Sequence, residues 1–254
     1  MVDIHCHILP DLDDGAPEER VAIEMARMAA ADGVTHVVAT PHANYRFAFD
    51  PALNRHKQEA LQHAIGDSLH ILLGCDFHLS YENLEEIRQQ PSRFTLNGHQ
   101  YLLVEFADSG FPSGNDQIFV DLLAQNLLPV ITHPERNPLF ARRPEMILKW
   151  VEAGCYVQVT AASLQGRFGK KAMQAAHLLL QHKLIHFIAS DAHNTSSRPP
   201  LLSEARRRVA AEQGEEAACA LFEANPLAAI EGRALPWQPE PVPLPRHRWF
   251  HFRR

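Results

Sequence analysis

Residues 2–8 read VDIHCHI, and the reading of the whole chain turns on them. On a β-strand, residues two apart share a face, so His5 and His7 point one way while Ile4, Cys6 and Ile8 point the other. An H-x-H pair alone is a weak signal, because short motifs recur by chance. Its weight comes from the rest of the chain. Apolar runs recur at residues 35–40, 70–76, 101–106, 129–133, 156–160 and 185–190. They are too short for helices and rich in Val, Ile and Leu, as buried parallel strands should be. Helical patterns lie between them at residues 17–33, 51–65, 116–127, 144–153, 170–182 and 202–213. In the first of these, Pro17 suits the first helical position, Glu18 and Glu19 complement the N-terminal dipole, and Gly33 ends the run. Val21, Met25 and Met28 supply its apolar stripe. Strand–helix alternation along the chain means an α/β fold with a parallel sheet, and seven units predict closure into a seven-stranded barrel.

The polar residues fall where such a barrel gathers its chemistry. The second strand ends in His42, the third in Asp76, the fourth in Glu105, the fifth in His133, and the last in Asp191 and His193. The loop after the first strand adds Asp13 and Asp14. In a β/α barrel, the carboxyl ends of the strands are where ligand and catalytic groups assemble. Any one of these residues is as readily a loop cap or a solvated charge. As a set they have no packing rationale, and mixed imidazole and carboxylate without thiolate suits a cluster of Mn, Fe or Zn ions.

Composition narrows the classes. The chain has 254 residues, with 24 Lys+Arg against 30 Asp+Glu, a formal charge of −6. This mild acidity argues against a general nucleic-acid binder. No apolar run approaches the length of a membrane span, and Asp3 and His5 sit where a signal peptide needs an apolar core, so a cytoplasmic protein is expected. Cys6, Cys75, Cys155 and Cys219 form no C-x-x-C pair, the pattern of free thiols. Cys-x5-Arg is also missing: six residues past the four cysteines stand Leu12, Tyr81, Ala161 and Asn225. There is no G-x-S-x-G elbow, H-E-x-x-H, phosphate-binding P-loop or G-x-G-x-x-G.

The chain divides at about residue 233. Residues 1–233 carry the strand–helix pattern, whereas residues 234–254 read ALPWQPEPVPLPRHRWFHFRR. Prolines at this density predict an extended tail. Arg246, Arg248, Arg253 and Arg254 less Glu240 give it +3, leaving the remainder at −9. Arginine among Trp249, Phe250 and Phe252 is compatible with peripheral contact at an anionic membrane, but the prolines favour a plain extension.

Taken together, DIHCHILPDLDDGA, ATPH, YLLVEF, THPERN and SDAHN followed by Arg198 resemble the PHP (polymerase and histidinol phosphatase) superfamily. The likeness is strongest to the metal-dependent bacterial protein-tyrosine phosphatases linked to capsular and extracellular polysaccharide synthesis, and runs from residue 1 to about 232. It implies a distorted seven-stranded barrel of PHP type with two or three transition-metal ions, usually manganese. By the same resemblance, His5, His7 and Asp191 would hold one ion, with Asp76 bridging to a second completed by Glu105 and His133. Asp14, His42 and His193 would hold a third. Where the family more often has Glu, this chain has the shorter Asp76, which makes His78 a candidate helper. Arg136 and Arg198 fall where the family keeps its phosphate-binding arginines. Tyr45, Phe47, Phe49 and Phe111 offer aromatic surface for a phenyl ring, of which Tyr45 and Phe111 are taken as substrate contacts. The implied activity is hydrolysis of protein phosphotyrosine, with a tyrosine kinase of polysaccharide export as partner. A small-molecule phosphatase, such as one for histidinol phosphate, and an inactive regulatory module of the same fold remain open alternatives.

Overall fold

The computed structural model describes residues 1–107 and 115–244. Among the described residues nine strand segments are interspersed with helices: β1 Val2–Cys6, β2 His36–Ala39, β3 His42–Ala43, β4 His70–Leu73, β5 Asp76–His78, β6 Tyr101–Glu105, β7 Leu128–Thr132, β8 Tyr156–Thr160 and β9 Phe187–Ala189. Every pairing among them is parallel. The α/β class with parallel sheets is therefore as expected, but one closed seven-stranded sheet is not what pairs. The strands form a three-stranded sheet, β1-β2-β4, and a six-stranded sheet, β3-β5-β6-β7-β8-β9. Two of the seven expected runs are each broken in two. Pro41 separates β2 from β3, and proline has no N–H to give a ladder. Gly74 and Cys75 separate β4 from β5, and a Cβ on Gly74 would come within 2.9 Å of Val38. Beyond β9 the chain returns to β1: Asp191 N donates to His5 O at 2.8 Å and His7 N to Ala192 O at 2.9 Å.

β1 departs from simple alternation. Its register against β2 slips between Asp3 and Cys6, a bulge that turns part of the strand over. Ile4 therefore packs with Val2, Val38, Tyr101, Leu103, Val130 and Phe187, while Cys6 and Ile8 join the larger core beneath the helices. The expected common face for Ile4, Cys6 and Ile8 is lost. The bulge leaves His5 and His7 buried beside the strand ends that matter.

The helices that position the site are Glu19–Ala31, Pro51–Ile65, Pro138–Arg142 and Gly169–Gln181. The first starts two residues later than expected. Pro17 lies outside it, and Glu18, extended at φ −157°, precedes the first turn. Pro51 and Asn137 show the expected logic: Pro51 opens its helix while Asp50 caps Ala52 N and Leu53 N, and Asn137 Oδ1 accepts from Leu139 N. Residues 234–244 carry no strand or helix but lie against the fold. Asn225 Nδ2 donates to Trp237 O at 2.9 Å, and Val242 N donates to His182 O at 2.9 Å. No helix among the described residues is long and apolar enough to cross a membrane. Phe111, Arg246, Arg248, Trp249, Phe250, Phe252, Arg253 and Arg254 lie outside the described residues.

Candidate active site

Strand register brings the predicted residues side by side. His42 on β3 pairs with Asp76 on β5, and His78 on β5 with Glu105 on β6. Asp191 follows β9 in a left-handed backbone at φ 50°, and His133 follows β7 at φ 36°. A non-glycine residue held there costs on the order of 1–3 kcal/mol, which a functional site tolerates when its surroundings impose it.

His5 and His7 meet at the centre, Nε2 to Nε2, 3.2 Å apart. Their outer nitrogens are fixed. His5 Nδ1 donates to Gln158 Oε1 at 3.0 Å, and His7 Nδ1 donates to Asp13 Oδ2 at 2.7 Å. Acceptors at Nδ1 leave both Nε2 lone pairs aimed inward, a pairing that repels unless a proton or a cation stands between them. Asp191 Oδ1 lies 3.5 Å from both of these nitrogens, and Asp76 Oδ2 lies 3.5 Å from His5 Nε2. On the far side, Asp76 Oδ2 is 3.2 Å from His42 Nδ1, so this carboxylate stands between the two imidazoles. Glu105 Oε2 is 3.5 Å from both His42 Nδ1 and His78 Nδ1, and Glu105 Oε1 is 3.8 Å from His133 Nε2. Asp14 Oδ1 stands 3.4 Å from both His42 Nε2 and His193 Nε2.

Three groups offer ligand atoms within 4.8 Å of one another: His7, Asp14, His42 and His193; His5, His7 and Asp76; and His42, Asp76 and Glu105. Seven of the nine predicted ligand residues belong to these groups, and the other two stand beside them in the same nest, Asp191 against His5 and His7 and His133 near Glu105. In the last group the side chain close to both Asp76 and Glu105 is His42, whereas His133 approaches Glu105 alone.

The charges fit a polycation. Asp76 is buried and makes no hydrogen bond of good geometry; its nearest positive neighbours are His42 Nδ1 at 3.2 Å and His5 Nε2 at 3.5 Å. A buried carboxylate short of hydrogen bonds is costly unless cations supply the missing interaction. Burial opposes a charge on His5, but Asp76 and Asp191 outweigh it and raise its pKa to about 9. Asp14 and Asp76 likewise overcome burial at His42 and raise it to about 11. His7 goes the other way, pushed down to about 4 by burial and the neighbouring His193. Asp13 is held at about 2 despite its burial, chiefly by His7 and the N–H groups of Gly15 and His42.

Arg136 and Arg198 stand at the edge of the nest. Arg136 Nη1 is 2.6 Å and Arg198 Nη2 2.7 Å from the same atom, Asp191 Oδ2. Both guanidinium groups lie over the Phe168 ring, at 4.7 and 5.7 Å from its centroid. Arg198 Nε is a buried donor without an acceptor. A cleft of about 580 Å³ opens here between Asp14, His42, Glu105, Arg136 and Phe168. Tyr45 stands at its rim, 86% exposed, and Phe47 stacks on the His42 ring at 5.9 Å.

Sequence reasoning missed Phe168, Gln158 and the part played by Asp13. Gln158 carried a signal, a lone amide inside the apolar run YVQVT, whereas nothing in the sequence marks Phe168. Cys6, Cys75 and Cys155 are buried, and burial pushes each thiol up, Cys155 to about 12, so none is a ready nucleophile.

Known proteins resemble this chain over nearly its whole length. The tyrosine-protein phosphatase YwqE of Bacillus subtilis is 36% identical over 256 residues, covering 99% of this chain and 100% of that protein. The tyrosine-protein phosphatase CpsB of Streptococcus pneumoniae is 29% identical over 238 residues, covering 89% of this chain and 96% of that protein. A crystal structure from the pair YwqE and CpsB, described as unique metal-dependent tyrosine phosphatases, matches with a TM-score of 0.90 at 35% identity, covering 97% of this chain and 100% of that one. The family profile for capsular polysaccharide synthesis, CpsB/CapC, spans residues 1–231, and the chain belongs to that family.

Proposed function

We propose that this protein is a metal-dependent phosphatase that hydrolyses phosphotyrosine in proteins, with a tyrosine kinase of polysaccharide export as its partner. The relatives' activity and the family support the reaction class. The observation that carries the reading is the junction at Asp191, where two arginines meet the nest of imidazoles and carboxylates. One buried guanidinium N–H there still lacks an acceptor.

In this reading His5, His7, Asp76 and Asp191 would hold one ion. Asp76, Glu105 and His133, with His42 beside them, would hold a second, and Asp14, His42 and His193 a third. Manganese is the first candidate, with iron and zinc as alternatives. Divalent ions bound there would supply positive charge for the phosphoryl oxygens and lower the pKa of water toward neutrality. The remaining work falls to the chain. Arg136 and Arg198 present planar, charged N–H donors that hold the phosphoryl group in one orientation, braced from behind by Phe168. Gln158 and Asp13 keep His5 and His7 from turning. Tyr45 and Phe47 offer a wall for the phenyl ring. A tyrosinate leaves with a pKa of about 10, so no strong general acid is needed. The two sheets then act as one distorted barrel of PHP type in residues 1–233, with residues 234–254 as a tail. A cytoplasmic home accords with four free cysteines.

The test is turnover of a phosphotyrosine peptide beside histidinol phosphate by the same manganese-loaded sample. Faster turnover of the peptide is expected. Preference for histidinol phosphate would make this a small-molecule phosphatase, and turnover of neither would leave a non-catalytic module.

A further inference from the structure

A second groove shares Arg136 and Phe168 with the catalytic cleft and runs away from it. It has a volume of about 830 Å³ and lies between helices Pro138–Arg142 and Gly169–Gln181. On the longer helix, Lys171, Gln174, Ala175 and Leu178 follow at i, i+3, i+4 and i+7, so they form one face. Pro138 and Ala141 stand opposite, with Arg142 at the end of the short helix. The floor is small and apolar, and the rim is cationic.

The rim charges are unspent. Arg142 and Lys171 are exposed, and neither enters an ion pair or side-chain hydrogen bond among the described residues. The groove's one carboxyl, Glu135, is 2% exposed and turned inward, accepting from Ser163 Oγ at 2.6 Å and Thr160 N at 3.0 Å. It offers solvent no negative charge. A molecule lying in this groove therefore meets two free cations over an apolar floor, beginning at the ring that braces the phosphate-binding arginines.

We propose that this groove binds the polypeptide on one side of the phosphotyrosine and selects for acidic side chains there, through Arg142 and Lys171. The proposal rests on the phosphotyrosine reading above and names the substrate feature that it leaves open. The seven-residue step from Lys171 to Leu178 spans roughly 10 Å of helix, which matches about three residues of extended peptide. The acidic positions are thus the three nearest the phosphotyrosine on one flank. Exposed charge pairs of this kind act through steering and orientation, and weaken as salt rises.

The experiment uses the manganese-loaded full chain and matched phosphotyrosine peptides whose three residues on one flank or the other are Asp/Glu, Ala or Lys/Arg. p-Nitrophenyl phosphate serves as the substrate without flanks. Acidic residues on one flank should raise kcat/KM by about five- to tenfold over Ala, less at 0.5 M salt. Arg142→Glu with Lys171→Glu should abolish or invert that preference while p-nitrophenyl phosphate turnover stays within about twofold. The single variants Arg142→Ala and Lys171→Ala, milder at exposed positions, should each remove part of it. A flat flank profile with good peptide turnover would overturn the groove's role alone, as would a preference that survives the double reversal. Failure to turn over any of these substrates would overturn the phosphatase reading and the groove's role with it.

Discussion

Two pairs of histidines look alike in isolation and differ in everything that surrounds them. His36 and His70 stand in register at the amino ends of β2 and β4, with ring centroids 4.9 Å apart. His7 lies just past the carboxyl end of β1 and His42 opens β3 just past that of β2, with centroids 4.4 Å apart. Among the described residues no carboxylate comes within ion-pair distance of His36 or His70. His36 is instead pushed down by burial and by its neighbour. His42 sits among Asp14, Asp76 and Glu105 and is pushed up to about 11. Close imidazoles are therefore not themselves a site. Buried carboxylates between them create the need for cations.

The largest expected effect tests that difference at Asp76. Asp76→Ala removes the carboxylate between His5 and His42, and should lower both metal content and kcat/KM, the latter on the order of a thousandfold. Asp76→Ala protein that retained its full metal complement would break the comparison.

Next come the arginines. Arg136→Ala or Arg198→Ala should cost on the order of 2–4 kcal/mol of transition-state stabilisation with metal content unchanged. Loss of metal as well would make them supports of Asp191. A double variant no worse than either single one would show that they act as one clamp.

A pH titration of metal affinity sharpens the contrast further. With His5 raised to about 9 and His42 to about 11, a cation must displace protons at neutral pH. Apparent affinity should fall on acidification, by about one decade per pH unit for each proton displaced. Without metal, these raised values stabilise the fold fully below the ordinary 6.5, and that stabilisation is lost as pH climbs through about 9 and then about 11. His36, shifted downward, has the opposite sign: it costs stability as pH falls below 6.5. Calorimetric titration with Mn2+ at several pH values checks the first effect, and chelated-protein melting curves check the second. The smallest effect is expected of His36→Ala and His70→Ala, which should shift stability by no more than ~1 kcal/mol and leave turnover alone.

Much of this was legible in the sequence, for a physical reason. Apolar runs that end repeatedly in His or carboxylate cannot be explained by packing, so these residues stood out as a set together with Asp13, and the family resemblance sorted nine of them as ligand candidates. Where the chain breaks its own period, the reading failed. Pro41 and Gly74 divide two strands that looked continuous. The bulge between Asp3 and Cys6 separates Ile4 from Cys6 although alternation puts them on one face. The helix Tyr81–Gln89 went unread, as did the helical stretch over 215–230, whose period is shifted by the π segment Ala220–Ala224. Phe168 was illegible because its role depends on two arginines that reach it from distant loops.

On this reading the buried carboxylates and imidazoles form a nest that works only when filled with metal. The most direct measurement strips the protein with chelator and restores Mn2+ stepwise, following bound metal and phosphotyrosine-peptide turnover on the same sample. Turnover should be absent at the start and rise as two or three ions bind per chain. Full turnover in the presence of chelator, with no metal bound, would contradict the account.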